Sequence, residues 1–239
     1  MKLNSLLEYL LTEKIRSKTF DIRELKKLEH VHEIAAYIHE TLEPLSLSGG
    51  SSREVFILSS GKVLKLVKIV YSEDDGNYDE DTGEWVPVED LEGSIARGTA
   101  QNEAEFNTYT EASPEVQKIL PKLYDYDRNF YWLISELVKP LKWNDWTTFE
   151  KASGVSKEAF DDFRSDMNDG YDGYNEHPNK EDYEDNPFLL ALFNLVWSHD
   201  ISTSDLQSGD QWGTTTEGRL VLLDAGGTNE VLNNYYETE

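Results

Sequence analysis

The sequence predicts an α+β fold in three parts: a helical N-terminal extension over 1–44, a β-rich lobe over 45–140 and a helical region over 141–239. Three observations carry this. Apolar residues recur at helical spacing before Pro44, the pattern switches to β-branched alternation after it, and it returns to helical spacing beyond Leu141. At 239 residues and 38% hydrophobic content the chain can build a substantial core.

Taken in order, Leu3, Leu6, Leu7 and Leu10 share one face of an expected helix over 3–14. Asp21 is placed to cap a second helix over 22–43, with Leu25, Leu28, Val31, Ile34, Ala35 and Ile38 inward and Pro44 as its stop. A short run at Leu45–Leu47, the cluster Gly49-Gly50-Ser51-Ser52, and the runs Glu54–Leu58 and Lys62–Val70 around Ser59-Ser60-Gly61 read as strand, glycine loop, strand, tight turn, strand. A small hairpin is expected around Thr82-Gly83, a helix over 98–112, and two further strands at 122–127 and 130–137 turning at Arg128-Asn129. The lobe is therefore expected to have five strands and one inserted helix. Helices over 145–152, 156–165 and 187–199 follow, with 166–186 as a polar loop. Arg219–Asp224 reads as a buried strand followed by a tail.

The net charge is −25, from 22 Lys+Arg and 47 Asp+Glu. That argues against nonspecific nucleic-acid binding and attraction to anionic membranes, both of which need basic surface. Residues 71–94 and 160–186 carry 18 of those negative charges, so the acidity reads as two decorated inserts, expected to be peripheral and solvated. A DNA-mimicking inhibitor is the alternative use of such acidity. Without cysteine there is no disulfide, thiolate metal site or Cys nucleophile. No apolar run reaches the ~18 residues of a membrane helix, and the N-terminus lacks the pattern of a signal peptide. A cytoplasmic protein is expected. The five histidines are scattered, and Asp75-x-Asn77-x-Asp79-x-Asp81 lacks the glycine and the final Glu of a calcium loop, so neither offers a metal site.

Two features point to chemistry. Lys65 lies on one strand face with Val63 and Val67. A lysine among β-branched residues is costly to bury unless paired, and Glu103 or Glu105 of the expected helix can supply the carboxylate. The glycine cluster before these strands could bring backbone N–H groups to phosphate oxygens, although most such clusters are only turns. Asp205 and, 19 residues later, Asp224 at the end of an apolar strand form the second feature; two such carboxylates can share a Mg²⁺–phosphate site, and a strand-ending Asp is also an ordinary turn residue.

The order of these features resembles the protein-kinase-like fold, and within it a group of small kinase-like proteins found in bacteriophage genomes. The residues that carry the likeness are Gly50-Ser51-Ser52-Arg53, Gly61-Lys62-Val63-Leu64-Lys65, Gln101-Asn102-Glu103-Ala104-Glu105, Asp205-Leu206, Gln211-Trp212-Gly213 and Gly218 to Gly226. The resemblance spans about 45–228 and implies a kinase-like N-lobe, a reduced helical C-lobe and, as possible cofactors, ATP and Mg²⁺. It implies that Gly49, Gly50, Ser51 and Ser52 cover phosphates, that Lys65 holds them and that Glu105 orients Lys65. Ser135 would stand at the gatekeeper position, and the backbone of Glu136 and Val138 at an adenine-binding hinge. Asp205 would be the catalytic Asp and Asp224 the metal Asp, with Asp210 where a second metal ligand is expected.

The departures are equally specific. Thr203-Ser204 precede Asp205 in place of His-Arg, Asp210 stands where Asn is expected, and Asp224-Ala225-Gly226 replaces Asp-Phe-Gly. The sequence ends 13 residues after Gly226, so no activation segment or peptide-docking helices are expected. The sequence thus favours a kinase-like binding module, a pseudokinase with a protein partner, of phage origin and located in host cytoplasm or virion. An active phosphotransferase on an unusual acceptor is the alternative.

Overall fold

The structure is a computed structural model that describes residues 19–45, 52–59, 61–69, 77–79, 84–86, 91–142, 144–171, 180–206 and 209–236. It is mixed α+β with antiparallel sheets. Its centre is a four-stranded sheet of β1 (Arg53–Leu58), β2 (Lys62–Val67), β5 (Leu123–Tyr126) and β6 (Trp132–Glu136), in the order β1-β2-β6-β5. A two-stranded hairpin, β3 (Asn77–Asp79) with β4 (Glu84–Val86), is inserted after β2.

Register assigns the two faces of the main sheet. Phe56 and Ile134 both lie opposite Leu64, and Trp132 lies opposite Leu66. Alternation therefore puts these five on one face. There they meet Leu25 of α1 (Ile22–Leu25) and Ile34, Ala35 and Ile38 of α2 (Val31–Thr41), all nearly or fully buried. Each of these Leu and Ile side chains contributes ~1.5–3 kcal/mol by leaving water, so the N-terminal helices are part of the sheet's core. The helix expected over 22–43 is broken into these two pieces. Asp21 does cap the first, accepting from the Arg23 N–H, but the chain turns after Leu25 and restarts at Val31. The break lets Leu28 and Val31 both reach the same cluster.

The opposite face receives α3 (Leu91–Glu111), which begins seven residues before the helix expected at 98. Gly98 is the point of closest approach. A Cβ there would lie 2.7 Å from the Ser52 carbonyl oxygen and 2.9 Å from Val67 Cβ. Absence of that atom lets the helix lie against β2.

Beyond the sheet come α4 (Pro114–Gln117), α5 (Trp146–Ser153), α6 (Lys157–Tyr171), α7 (Pro187–His199) and α8 (Asn229–Tyr235). Helices α4 to α7 enclose a second core centred on Trp212, which is fully buried and has the rings of Phe149, Phe160 and Phe188 5.5–6.0 Å away. Helix α6 runs into the stretch expected as a loop, 166–186, and a short 3-10 turn occupies Lys180–Tyr183; Tyr183 donates to Asp166 Oδ2 at 2.9 Å, which ties the turn back to the helix. The expected tail holds α8, capped by Thr228. A three-stranded sheet joins β7 (Lys139–Pro140), β8 (Trp212–Thr214) and β9 (Leu220–Leu222); β9 falls within the buried strand expected over Arg219–Asp224, while β7 and β8 were not expected. Two- and three-residue strands leave too little alternation to be seen in a sequence.

Of the five strands expected in the first lobe, four are present among the described residues; the fifth, expected over 45–47, lies mostly outside them. The helix expected over 3–14 and the glycine-loop residues Gly49, Gly50 and Ser51 lie outside the described residues, as do 71–76, 80–83 and 87–90 of the acidic stretch 71–94. No helix among the described residues is long and apolar enough to cross a membrane.

Candidate functional site

Four charged side chains converge where β1, β2, α3 and the end of β9 meet. Lys65 belongs to β2 and projects from the face toward α3. Its ammonium donates to both Glu105 oxygens at 2.7 Å and to the Leu223 carbonyl at 3.0 Å. Those bonds use all three of its protons. The pairing meets the burial argument made for Lys65 from sequence. Lys65 and Glu105 are both buried, so each removes the desolvation cost the other would face alone. Asn102 and Glu105 lie one turn apart on the same face of α3.

Arg53, the first residue of β1, completes the network. In register it lies opposite Val67, two residues from Lys65 and on the same face. Its guanidinium donates to Glu105 Oε2 at 2.8 Å, to Asn102 Oδ1 at 3.1 Å, and from Nη2 to Asp224 Oδ2. Asp224 Oδ1 in turn accepts the Gly226 N–H at 2.9 Å. Two cations and two carboxylates thus balance. Burial by itself would lower the pKa of Arg53, but the charges of Asp224 and Glu105 outweigh it and hold the guanidinium more firmly protonated than usual. Burial likewise pushes Asp224 up. The charges of Arg53 and Lys65 and the bonds from Arg53 and Gly226 prevail, and hold its carboxyl well below the usual range. The Asp224 side chain keeps 38% of its surface exposed against 6% for Arg53, so solvent screens part of this attraction.

The other residues singled out in the sequence fall around this centre. Ser52 is buried and its hydroxyl donates to Gln101 Oε1 of α3. Ser135 is buried on β6 opposite Val63, on the Lys65 face, and its hydroxyl has no partner. The Glu136 N–H donates to the Lys122 carbonyl at 2.8 Å, and its carboxylate accepts from Arg219 Nη2 at 2.6 Å and from the Lys122 N–H at 3.2 Å. Val138 packs against Gly213, where a Cβ would lie 2.5 Å from Val138 Cγ1. Asp205 lies in a 3-10 turn over Thr203–Leu206, which Trp212 Nε1 holds by donating to the Leu206 carbonyl at 3.4 Å. Asp210 lies in the next 3-10 turn, Gly209–Gln211. The side chains of Asp205 and Asp210 lie outside the described residues. Lys65, Glu105 and Asp224 therefore come together as a group, while Gly49, Gly50 and Ser51 are not described.

The sequence reading assigned no role to Arg53, Asn102 or Arg219. Arg53 had a legible signal. It shares a strand face at period two with Val55 and Ile57, the face that lies opposite Val63, Lys65 and Val67, and a buried guanidinium needs carboxylates as much as a buried ammonium does.

The residues present do not fit Mg²⁺–ATP as they stand. Both Asp224 oxygens are engaged, one by a guanidinium, and a divalent ion would have to displace that cation. Lys65 has no proton left for a phosphate. Among the described residues no group of three or more His, Asp or Glu side chains is arranged to hold a metal ion. No protein-family model matches this sequence, and no curated protein matches it significantly.

Proposed function

We propose that this protein is a kinase-like binding module of the small phage type, in which the nucleotide site has become a self-neutralised structural junction. One observation carries the reading: Arg53 bridges Glu105 and Asp224, so the carboxylate matched to the metal ligand already holds a cation supplied by the chain. A fixed guanidinium cannot be exchanged with substrate as Mg²⁺ can. The junction ties β1, β2, α3 and the end of β9 together, which suits a scaffold that presents surfaces to a protein partner.

The Lys65–Glu105 pair favours a second reading, nucleotide binding after rearrangement of Arg53, because this pairing is also what positions a lysine for phosphates. Thermal melting with and without millimolar ATP and Mg²⁺ separates the two. A ligand at 100 times its Kd adds about 2.7 kcal/mol, several degrees for a chain of this size. The scaffold reading expects a shift under about one degree. A saturable rise of several degrees that Lys65→Met and Asp224→Asn both abolish would establish the nucleotide reading instead.

A further inference from the structure

Tyr124 and Tyr126 of the edge strand β5 stand out of the surface, 46% and 43% exposed, the large hydrophobic side chains so placed among the described residues. Tyr126 is one member of a three-ring platform. Its ring lies 4.3 Å from that of Phe106 on α3 and 5.9 Å from that of Phe130, nearly parallel to the latter; Phe106 and Phe130 are 5.4 Å apart. The platform is held by unusual backbone. Phe130 has φ +58°, a conformation that costs a bulky residue of order 1–3 kcal/mol. The Asp127 carboxylate stabilises it by accepting from the N–H groups of Asn129 and Tyr131, and Asn102 donates to the Phe130 carbonyl at 2.8 Å. Asn102 is the same residue that accepts from Arg53, so the platform is braced directly on the charge centre.

The chemistry of the surface selects a cation. The neighbouring Tyr124 ring already carries one, Lys62 Nζ lying 4.2 Å from its centroid. Among the described residues no cation lies over Tyr126. The bases close by are neutralised, Lys26 by Asp125 at 2.7 Å and Arg128 by Glu29 at 3.2 Å. Glu103 is exposed one turn before Phe106 on α3. The net charge of −25 steers basic partners toward the molecule as a whole. A guanidinium plane stacks on aromatic faces better than a hydrated ammonium does.

We propose that the Phe106–Tyr126–Phe130 platform docks an arginine-bearing segment of a basic partner protein. The proposal rests on the binding-module reading and names its surface. The test uses full-length protein and three fluorescent ten-residue Gly/Ser peptides carrying three Arg, three Lys or three Glu, followed by anisotropy at 0.15 M salt. The Arg peptide is expected to bind more tightly than the Lys peptide, and the Glu peptide not at all. Tyr126→Ser, which leaves the charge unchanged, is expected to weaken the Arg peptide roughly three- to tenfold. Tyr126→Leu, which retains apolar bulk, should weaken it comparably, and melting curves confirm that both variants fold. Equal affinity for Arg and Lys peptides, indifference to both substitutions, or no binding overturns the proposal. ATP binding at Lys65 and Asp224 would overturn the scaffold reading without changing these peptide results, so the two failures are distinguishable.

Discussion

Replacing Arg53 by methionine removes one cation from a balanced set of four charges and retains most of the aliphatic volume. Glu105 keeps both bonds from Lys65, so its charge stays compensated. The Asn102 Oδ1 acceptor loses its buried donor, a cost of about 1–3 kcal/mol. Asp224 loses its guanidinium but keeps the Gly226 N–H and, at 38% exposure, access to water. Breaking a fully buried pair costs about 3–5 kcal/mol, and the exposure of Asp224 places this case at the lower end. The expected loss is about 3 kcal/mol, or roughly 6–12 °C in Tm for a chain of this length. Tryptophan fluorescence and far-UV circular dichroism during thermal melting read it. Adding Asp224→Asn removes the uncompensated carboxylate, so the double variant should recover part of the loss, with a coupling of about 1–2 kcal/mol. Acid supplies an independent check. The folded Asp224 carboxyl lies below its unfolded value, so its stabilisation is present at neutral pH and is lost as pH falls through the carboxylate range. The gap between wild type and Arg53→Met should therefore narrow below about pH 4. A Tm change under about 2 °C, or a strictly additive double variant, would refute the view of Arg53 as the neutralising cation of this site.

Gly98→Ala should destabilise by about 1–3 kcal/mol, because its Cβ would meet the Ser52 backbone and Val67, whereas the same change in an exposed helix would stabilise; a higher Tm in urea or thermal melts contradicts the close approach of α3 to β2. Burial lowers the pKa of His199 against an opposing influence from Glu111, so the unfolded chain takes up the proton first. Stability should then rise with pH across the window just below 6.5, and His199→Gln should flatten that rise in pH-dependent melts. Thr228→Ala removes the side-chain cap of α8 and should cost ~1 kcal/mol, measured as a lower urea midpoint with an unchanged m-value.

Much of the architecture follows from local pattern. Period-two apolar runs bounded by Gly and Ser mark β1 and β2, and the continuous apolar surface of Leu189 to Trp197 marks α7. That Lys65 needs a carboxylate from the inserted helix was legible for a physical reason, because a lysine fixed on an apolar strand face creates a demand that a carboxylate meets; that reason left Glu103 and Glu105 open, and only the resemblance pointed to Glu105. Elements that depend on partners distant in sequence were not legible. Strands β7 and β8, of two and three residues, are too short to carry a period, and Gly213 lets Val138 and Lys139 approach β8; the third strand of that sheet, β9, was legible as the apolar run before Asp224. The break between α1 and α2 is set by how the sheet face accepts Leu25, Leu28 and Val31, a matter of packing that helical spacing alone does not encode.

By itself, the sequence determined that the chain is α+β and that Lys65 needs an acidic partner from the inserted helix. Both depend on periodicity or on a single unmet charge. Only the tertiary structure decided which cation Asp224 faces. Arg53 and Asp224 are 171 residues apart, and nothing local to either pairs it with the other. They meet because the chain brings the start of β1 and the residues after β9 together beside α3, where the buried Arg53 guanidinium needs carboxylate partners.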